Sequence, residues 1–402
     1  MSTEPIRLGV LGLGRAFTLM LPTFLGDRRV ALRAAFDPRA SACAQFEDIF
    51  GGTAHRSPES LCADPTVEWI YVATPHQMHA EHVALAAAHG KSVLVEKPMA
   101  LTLDDATRMI EACERAGVSL IVGHSHSFNA PVLQARQLID TGALGEVRLV
   151  HAMQYTDFLY RPRRPEELDT ARGGGVVFSQ AAHQIDIVRL LAGGLVSQVR
   201  ARTGAWDASR PTEGAFSALL DFQNGAFASV TYNGYGFYDT DVLMEGLGEM
   251  GLPKDTDAHR LTRARLASVI DEAAEAAMKA ERNFGGSQFV LPSARVPDAC
   301  QHFGPVIVSG DRGDLRLTPR GVELTDAQGT RFLAVDLPPV PRAEVIDELW
   351  RVAREDHPPV HGGAWSRATL EVCLAIIESG RQGVAIMPTH QVAYPMPSRP
   401  DA

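Results

Sequence analysis

The first 125 residues are built from near-continuous apolar runs separated by helix-period segments that end in glycine. The runs are "IRLGVLGLG", "VALRAAFD", "VEWIYVATP", "SVLVEKP" and "VSLIVGHSH". Between them lie "AFTLMLPTFLGD", "ASACAQFEDIFG", "HAEHVALAAAHG" and "LDDATRMIEACERAG". A strand with one wet face alternates apolar and polar residues; a strand that is apolar throughout is covered on both faces. Helices alternating with such strands provide that cover, so residues 1–125 are expected to form a doubly wound α/β domain with a parallel sheet.

Its first strand closes in Gly12-Leu13-Gly14-Arg15-Ala16, with Phe17 where a third small residue often stands. Glycines between a strand and a helix permit a tight turn and bring backbone amides close to a pyrophosphate at the helix N-terminus. Asp37 ends the next strand, roughly 20 residues beyond Gly14, where an acid bonds adenosine ribose hydroxyls. A carboxylate there repels a 2′-phosphate, so NAD is expected; Arg39, two residues on, leaves NADP open. The cofactor set is Gly12, Gly14, Arg15, Ala16, Asp37 and Arg39. Thr74, Pro75, His76, His79, Glu96 and Lys97 join it, because ligands of open α/β sheets bind outside the carboxyl ends of the strands.

Composition excludes several classes. With 402 residues the chain needs more than one domain. A formal charge of −10 argues against a nucleic-acid partner, which needs a cationic surface. No window reaches the ~18–20 uninterrupted apolar residues of a membrane span. Five scattered cysteines without a CxxC, and a strand pattern that begins almost at once, lead to the expectation of a reduced, cytoplasmic protein.

The order and spacing of these elements, with Thr74-Pro75 and His79, Glu96-Lys97-Pro98, "FNAPVLQARQLIDTGALGEVRLV" and "GGGVVFSQAAHQID", resemble the glucose-fructose oxidoreductase / inositol dehydrogenase / MocA family. The resemblance spans most of residues 6–194. It implies an α+β second domain with a large, mainly antiparallel open sheet, a small-molecule substrate and assembly into a dimer or tetramer. The partition expected is a dinucleotide-binding domain over 1–125 and a substrate-binding and oligomerisation domain over 126–345. The latter carries a helical insertion near 240–285, and helices with an extended tail follow over 346–402. The resemblance also places Lys97 at the reacting centre as acid or base. Val177, Ala181, Ile185, Val188 and Ala192 mark one apolar helix face, while Ser179, His183 and Asp186 share another. The family pattern there resembles Asp-x-x-x-His-x-x-Asp. His183 and Asp186 are kept as catalytic candidates with Lys97, Asp186 as the group that orients the imidazole. Ser179 replaces the first acid and is assigned to substrate. His124 and His126 are expected to line the substrate pocket. With His76 they lack a recognisable metal-ligand spacing, so no metal is expected.

The stretch "YRPRRPEELDTARGGG" concentrates arginines ahead of three glycines in an acidic chain. Guanidinium forks clasp carboxylates, so Arg161, Arg163 and Arg164 are assigned to an anionic substrate. The alternative is that Glu166, Glu167 and Asp169 merely pair with them. This loop, "GHSHSF" and "HFGPVIVSGDRGDLRLTPRG" resemble the branch that oxidises a cis-dihydrodiol of an aromatic dicarboxylate, 4,5-dihydro-4,5-dihydroxyphthalate, to the dihydroxyphthalate in aromatic-compound degradation. Two other readings stay open: a family dehydrogenase of a sugar, an inositol or a carboxylated semialdehyde hemiacetal, and a non-catalytic NAD(P)-binding regulator.

Overall fold

Strand β1 (Ile6–Leu11) lies at the centre of the first sheet, with its apolar side chains almost wholly buried. The structure is a computed structural model that describes residues 4–292 and 297–394. β2 (Val30–Phe36), β3 (Thr53–Ala54), β4 (Trp69–Val72), β5 (Ser92–Val95) and β6 (Leu120–Val122) complete that sheet. All pairings are parallel and the order is β3-β2-β1-β4-β5-β6. The order reverses between β1 and β4, which opens a crevice at their carboxyl ends, where such sheets bind ligands.

The second sheet holds β7 (Val147–Tyr155), β8 (Val196–Gly204), β9 (Ala215–Phe222), β10 (Phe227–Asn233), β11 (Val306–Gly310), β12 (Gly313–Thr318), β13 (Gly321–Asp326) and β14 (Gly329–Ala334). Its order is β14-β13-β12-β11-β7-β10-β9-β8, antiparallel except for the β7–β10 pair. The strands alternate buried and exposed residues, as a sheet with one covered face must. The covered face packs on helix Ala182–Ala192, whose residues are all buried, and on helix Gly363–Gln382.

Two segments tie the sheets together. Helix Ala343–Glu355 returns to the first domain and places Val345, Ile346 and Leu349 in its core. The chain then passes β6, where the Val122 amide donates to the His361 carbonyl, before entering helix Gly363–Gln382. The insertion forms two helices, Ala258–Ala267 and Glu272–Glu281, rather than one continuous stretch. Asp271 caps the second by accepting the Ala274 amide, which accounts for the break. Beyond it Phe284 is fully buried edge-on to Phe17, ring centroids 5.1 Å apart, and its amide donates to the Thr18 hydroxyl. Burying that ring contributes about 1.5–3 kcal/mol and fastens the insertion across the cleft. Of the expected C-terminal arm, residues 388–394 run without helix or strand, and 395–402 lie outside the described residues.

Candidate active site

The glycine turn after β1 is shaped for close approach of a ligand. Gly12 has φ +95°, and a Cβ there would meet the Ala73 carbonyl oxygen at 2.8 Å. Gly14 begins helix Arg15–Gly26 without a side-chain cap, and a Cβ on it would meet nothing within 4 Å. The first amides of the helix therefore face open space, an anion cradle by dipole and by unpaired donors. Asp37 stands at this turn. Its carboxylate accepts the Leu13 amide at 2.8 Å and the Arg39 guanidinium at 2.9 and 3.1 Å, while Arg39 also donates to the Leu13 carbonyl. An open amide cradle with an acid beside it fits a dinucleotide.

The ends of β4 and β5 are linked by His79, whose two ring nitrogens lie 3.0 Å from the Thr74 and Pro98 carbonyls. Sequence reasoning grouped His79 with the cofactor contacts. The structure makes it a fully buried brace between the two strand ends, with its pKa pushed down to about 4 by burial. Thr74 Oγ1 bonds His82, and His76 is only partly covered. Glu96 is buried and takes the Tyr71 hydroxyl at 2.6 Å; burial raises its pKa.

Lys97 follows directly. Its Nζ donates to the Ser179 carbonyl at 2.8 Å across the domain boundary, and desolvation lowers its pKa against the attraction of Glu96 and Glu249. The receiving carbonyl belongs to a π-turn over Val177–Ala181 that precedes helix Ala182–Ala192. A π-turn departs from the 3.6-residue period that the sequence spacing assumes. Glu213 supports the turn by accepting the Val177 amide.

His183 is buried with Nδ1 free of any partner. Its ring lies 4.7 Å from that of His126 and 4.8 Å from Phe303, and His124 stands 5.0 Å from His126. Burial, then Lys97 and the other two imidazoles, hold His183 well below its ordinary pKa. His124 is likewise well below, and His126 sits at about 4. These are neutral rings at physiological pH.

Asp186 does not take the orienting role expected for it. Oδ1 accepts Trp365 Nε1 at 2.6 Å and the Thr369 hydroxyl at 3.0 Å, and Oδ2 accepts Ser127. Ser127 in turn bonds His361, which is 2.7 Å from Glu348. Residues from five segments meet here, two of them from helix Gly363–Gln382, so Asp186 secures the domain crossing, while His183 is positioned by packed rings.

The arginines separate from one another. Arg163 donates through Nε and Nη2 to the Phe158 carbonyl and lies over the Phe158 ring at 3.5 Å. Arg164 pairs with Glu166 and Glu167, 3.1 and 3.5 Å away. Arg161 is the one of the three that pairs toward Glu249: Nε bonds Asp157 at 2.9 Å and Nη1 lies 3.8 Å from Glu249. Two further residues join the site without having been singled out from the sequence. Glu249 lies in "GLGEMGLP", inside the stretch read as an insertion. Arg342, a buried guanidinium bonded to Gln301, interacts with Glu96 and Glu249 from the start of helix Ala343–Glu355. Among the described residues no group of three or more His, Cys, Asp or Glu is disposed to hold a metal ion, and no helix is long and apolar enough to cross a membrane.

The model of an oxidoreductase family with an NAD-binding Rossmann fold (GFO_IDH_MocA) matches residues 6–124, and the GFO/IDH/MocA C-terminal domain matches residues 132–251. The chain is 47% identical over 377 residues to 1-carboxy-3-chloro-3,4-dihydroxycyclohexa-1,5-diene dehydrogenase of Comamonas testosteroni, covering 94% of this chain and 95% of that one. A crystal structure from Bordetella bronchiseptica RB50, provisionally described as a dehydrogenase, superposes with a TM-score of 0.89 at 36% identity, covering 95% of this chain and all of that one. The WlbA dehydrogenase from Bordetella pertussis, crystallised with NADH and UDP-GlcNAcA, shares the fold at 22% identity and a TM-score of 0.65, covering 96% and 99%.

Proposed function

The chain belongs to the Gfo/Idh/MocA oxidoreductase family, and from that premise we propose that it oxidises a cis-dihydrodiol bearing a ring carboxylate. It is an NAD-type dehydrogenase acting on CH–OH donors, which removes the reading as a non-catalytic regulator. The observation that carries the substrate class is a cleft in which desolvated Lys97 neighbours neutral His183 on one side and Glu249 on the other, with Arg161 3.8 Å from that carboxylate and bonded by its own chain through Nε. The Comamonas relative, whose name specifies one ring carboxylate and two hydroxyls, supports it.

Bound NAD⁺ supplies the hydride acceptor. Gly12, Gly14, Arg15 and Ala16 would hold its pyrophosphate, and Asp37 with Arg39 its adenosine ribose. Thr74, Pro75, His76 and Glu96 border the strand ends beyond. At the reacting carbon the substrate loses one C–H as hydride and one O–H as a proton. Lys97 Nζ, desolvated and fixed by the Ser179 carbonyl, is placed to take that proton, and neutral His183 beside it is the alternative acceptor. His124 and His126 wall the pocket and exclude water. Arg161 binds the ring carboxylate. The ketone formed tautomerises to an aromatic catechol, which drives the oxidation forward.

The family branch that the sequence resembles, together with the arginine-rich loop, predicts a phthalate-type dicarboxylate. With Arg163 and Arg164 committed to Phe158, Glu166 and Glu167, one carboxylate is the better match. The test is reduction of NAD⁺, followed by nicotinamide absorbance, with cis-dihydrodiols carrying no, one or two ring carboxylates. A monocarboxylate preferred by about 100-fold over the neutral diol is expected. Absence of turnover with every carboxylated diol would overturn the reading.

The open face of the second sheet supports assembly of identical chains. The row Leu219, Ser229, His151, Ile307, Arg316, Glu323 and Phe332 crosses seven strands in register, with Leu219, Ile307 and Phe332 exposed. Exposed apolar side chains across such a face suit burial against a second copy. Light scattering is expected to report a dimer or tetramer, and Ile307→Glu to shift it toward monomer; a monomeric wild type would exclude this face as an interface.

A further inference from the structure

Glu249 is a carboxylate of the second domain close enough to Lys97 to act on its charge, and its surroundings specify what it can do. The backbone around it is a pair of tight turns. Gly246 donates to Asp241, Leu247 to Met244, Gly248 to Leu252 and Gly251 to Gly248, while the Glu249 carbonyl accepts the His302 amide. Leu247 and Met244 anchor the turns in the interior. Gly251 needs φ +72°, and a Cβ there would strike the Ala299 carbonyl at 2.5 Å. The side chain is therefore delivered from a fixed platform.

Its carboxylate lies between His126 and Arg161, Oε1 3.6 Å from His126 Nε2 and Oε2 3.8 Å from Arg161 Nη1. Both separations exceed hydrogen-bond length, so Arg161 acts on the carboxylate by charge and neutral His126 as a dipole, and its oxygens remain able to accept. Burial disfavours the charged form, yet His126, Arg161 and Lys97 outweigh it and hold the pKa at about 2. An ionised carboxylate only accepts hydrogen bonds. A ligand group that pairs with it is therefore an O–H or N–H donor. On a vicinal diol held with one hydroxyl at Lys97, the neighbouring hydroxyl is such a donor.

We propose that Glu249 is a specificity-determining residue that accepts the hydrogen bond of the non-reacting hydroxyl and thereby selects vicinal diols over mono-alcohols. The inference rests on the reading of the site as a dihydrodiol dehydrogenase. A hydroxyl-to-carboxylate bond in a desolvated cleft discriminates by about 100-fold, because the analogue without the hydroxyl leaves the carboxylate unpaired.

The experiment compares kcat/KM of the full-length enzyme for a carboxylated cyclohexadiene cis-diol and for the same ring lacking the non-reacting hydroxyl, with NAD⁺ saturating. Wild type is expected to favour the diol by about 100-fold. Glu249→Ala should bring the two substrates to within about threefold, chiefly by raising KM for the diol. Glu249→Gln keeps the shape and a carbonyl acceptor, so it should lose about tenfold on the diol alone; it also serves if the alanine variant does not fold. An equal loss on both substrates, or no loss on either, overturns the proposal. If wild type turns over neither substrate, the dihydrodiol reading fails as well. If it turns over both equally, that reading stands and the role of Glu249 falls.

Discussion

Lys97→Ala is expected to lower kcat by about 10³-fold while the dissociation constant for NAD⁺ changes less than threefold. General-base catalysis contributes about 10²–10⁴, and the surroundings of Lys97 are those of a group built for proton transfer. Its ammonium form is disfavoured by burial, while the Ser179 carbonyl fixes Nζ from the opposite domain. Lys97→Arg keeps a cation but holds its proton at any working pH, so it should fail as badly as alanine. In wild type, kcat for oxidation should rise with pH as the amine loses its proton, along a limb centred below the ordinary lysine value of 10.5. His183 stays neutral through that range, because burial holds it well below 6.5, and should add no limb near neutrality. Steady-state rates with a fluorescence titration of NAD⁺ check both parts. A parallel loss of NAD⁺ affinity would make Lys97 a cofactor anchor and remove its assignment as base.

The parts of this site that local pattern reveals are those whose geometry local pattern dictates. An apolar run that stops at Glu96-Lys97 marks a strand end, and the strand end is where the crevice opens. Gly12 is recognisable because only glycine tolerates φ +95° with a carbonyl 2.8 Å from the missing Cβ. The helix carrying His183 shows its period from Ala182 on. The π-turn before it is invisible, because it depends on a carboxylate, Glu213, brought in from a distant segment. Partnership is equally hidden. That Arg164 pairs with Glu166 and Glu167 is the alternative the loop's charges already offer, whereas which arginine approaches Glu249 follows from how the loop folds back. His79 follows directly on the 3-10 turn His76–Met78 and looks like a strand-end ligand, yet its two nitrogens lie against the Thr74 and Pro98 carbonyls. Glu249 had no periodic element to announce it, only glycines on either side.

Arg161→Ala should raise KM for a carboxylated diol by roughly 30–100-fold and leave kcat within threefold, whereas Arg164→Ala should change both by less than threefold. The contrast follows from how each guanidinium is used. Arg161 spends Nε on Asp157 and keeps the other end of its fork near a charge it does not bond, 3.8 Å from Glu249. A substrate carboxylate gains a charge-assisted bond there that the folded chain alone does not make. Arg164 already faces two carboxylates and is half exposed, so its loss costs about 0–1 kcal/mol at most. Arg163 is the control for packing: stacked on Phe158 and bonded to its carbonyl, it should lower Tm on truncation rather than alter selectivity. Steady-state kinetics with a carboxylated and a neutral cis-diol separate these roles. Removing an anion-binding group penalises the carboxylated substrate alone. A loss of equal size on the neutral diol would show that Arg161 shapes the pocket without recognising charge, and the substrate class would then have to be sought among uncharged diols.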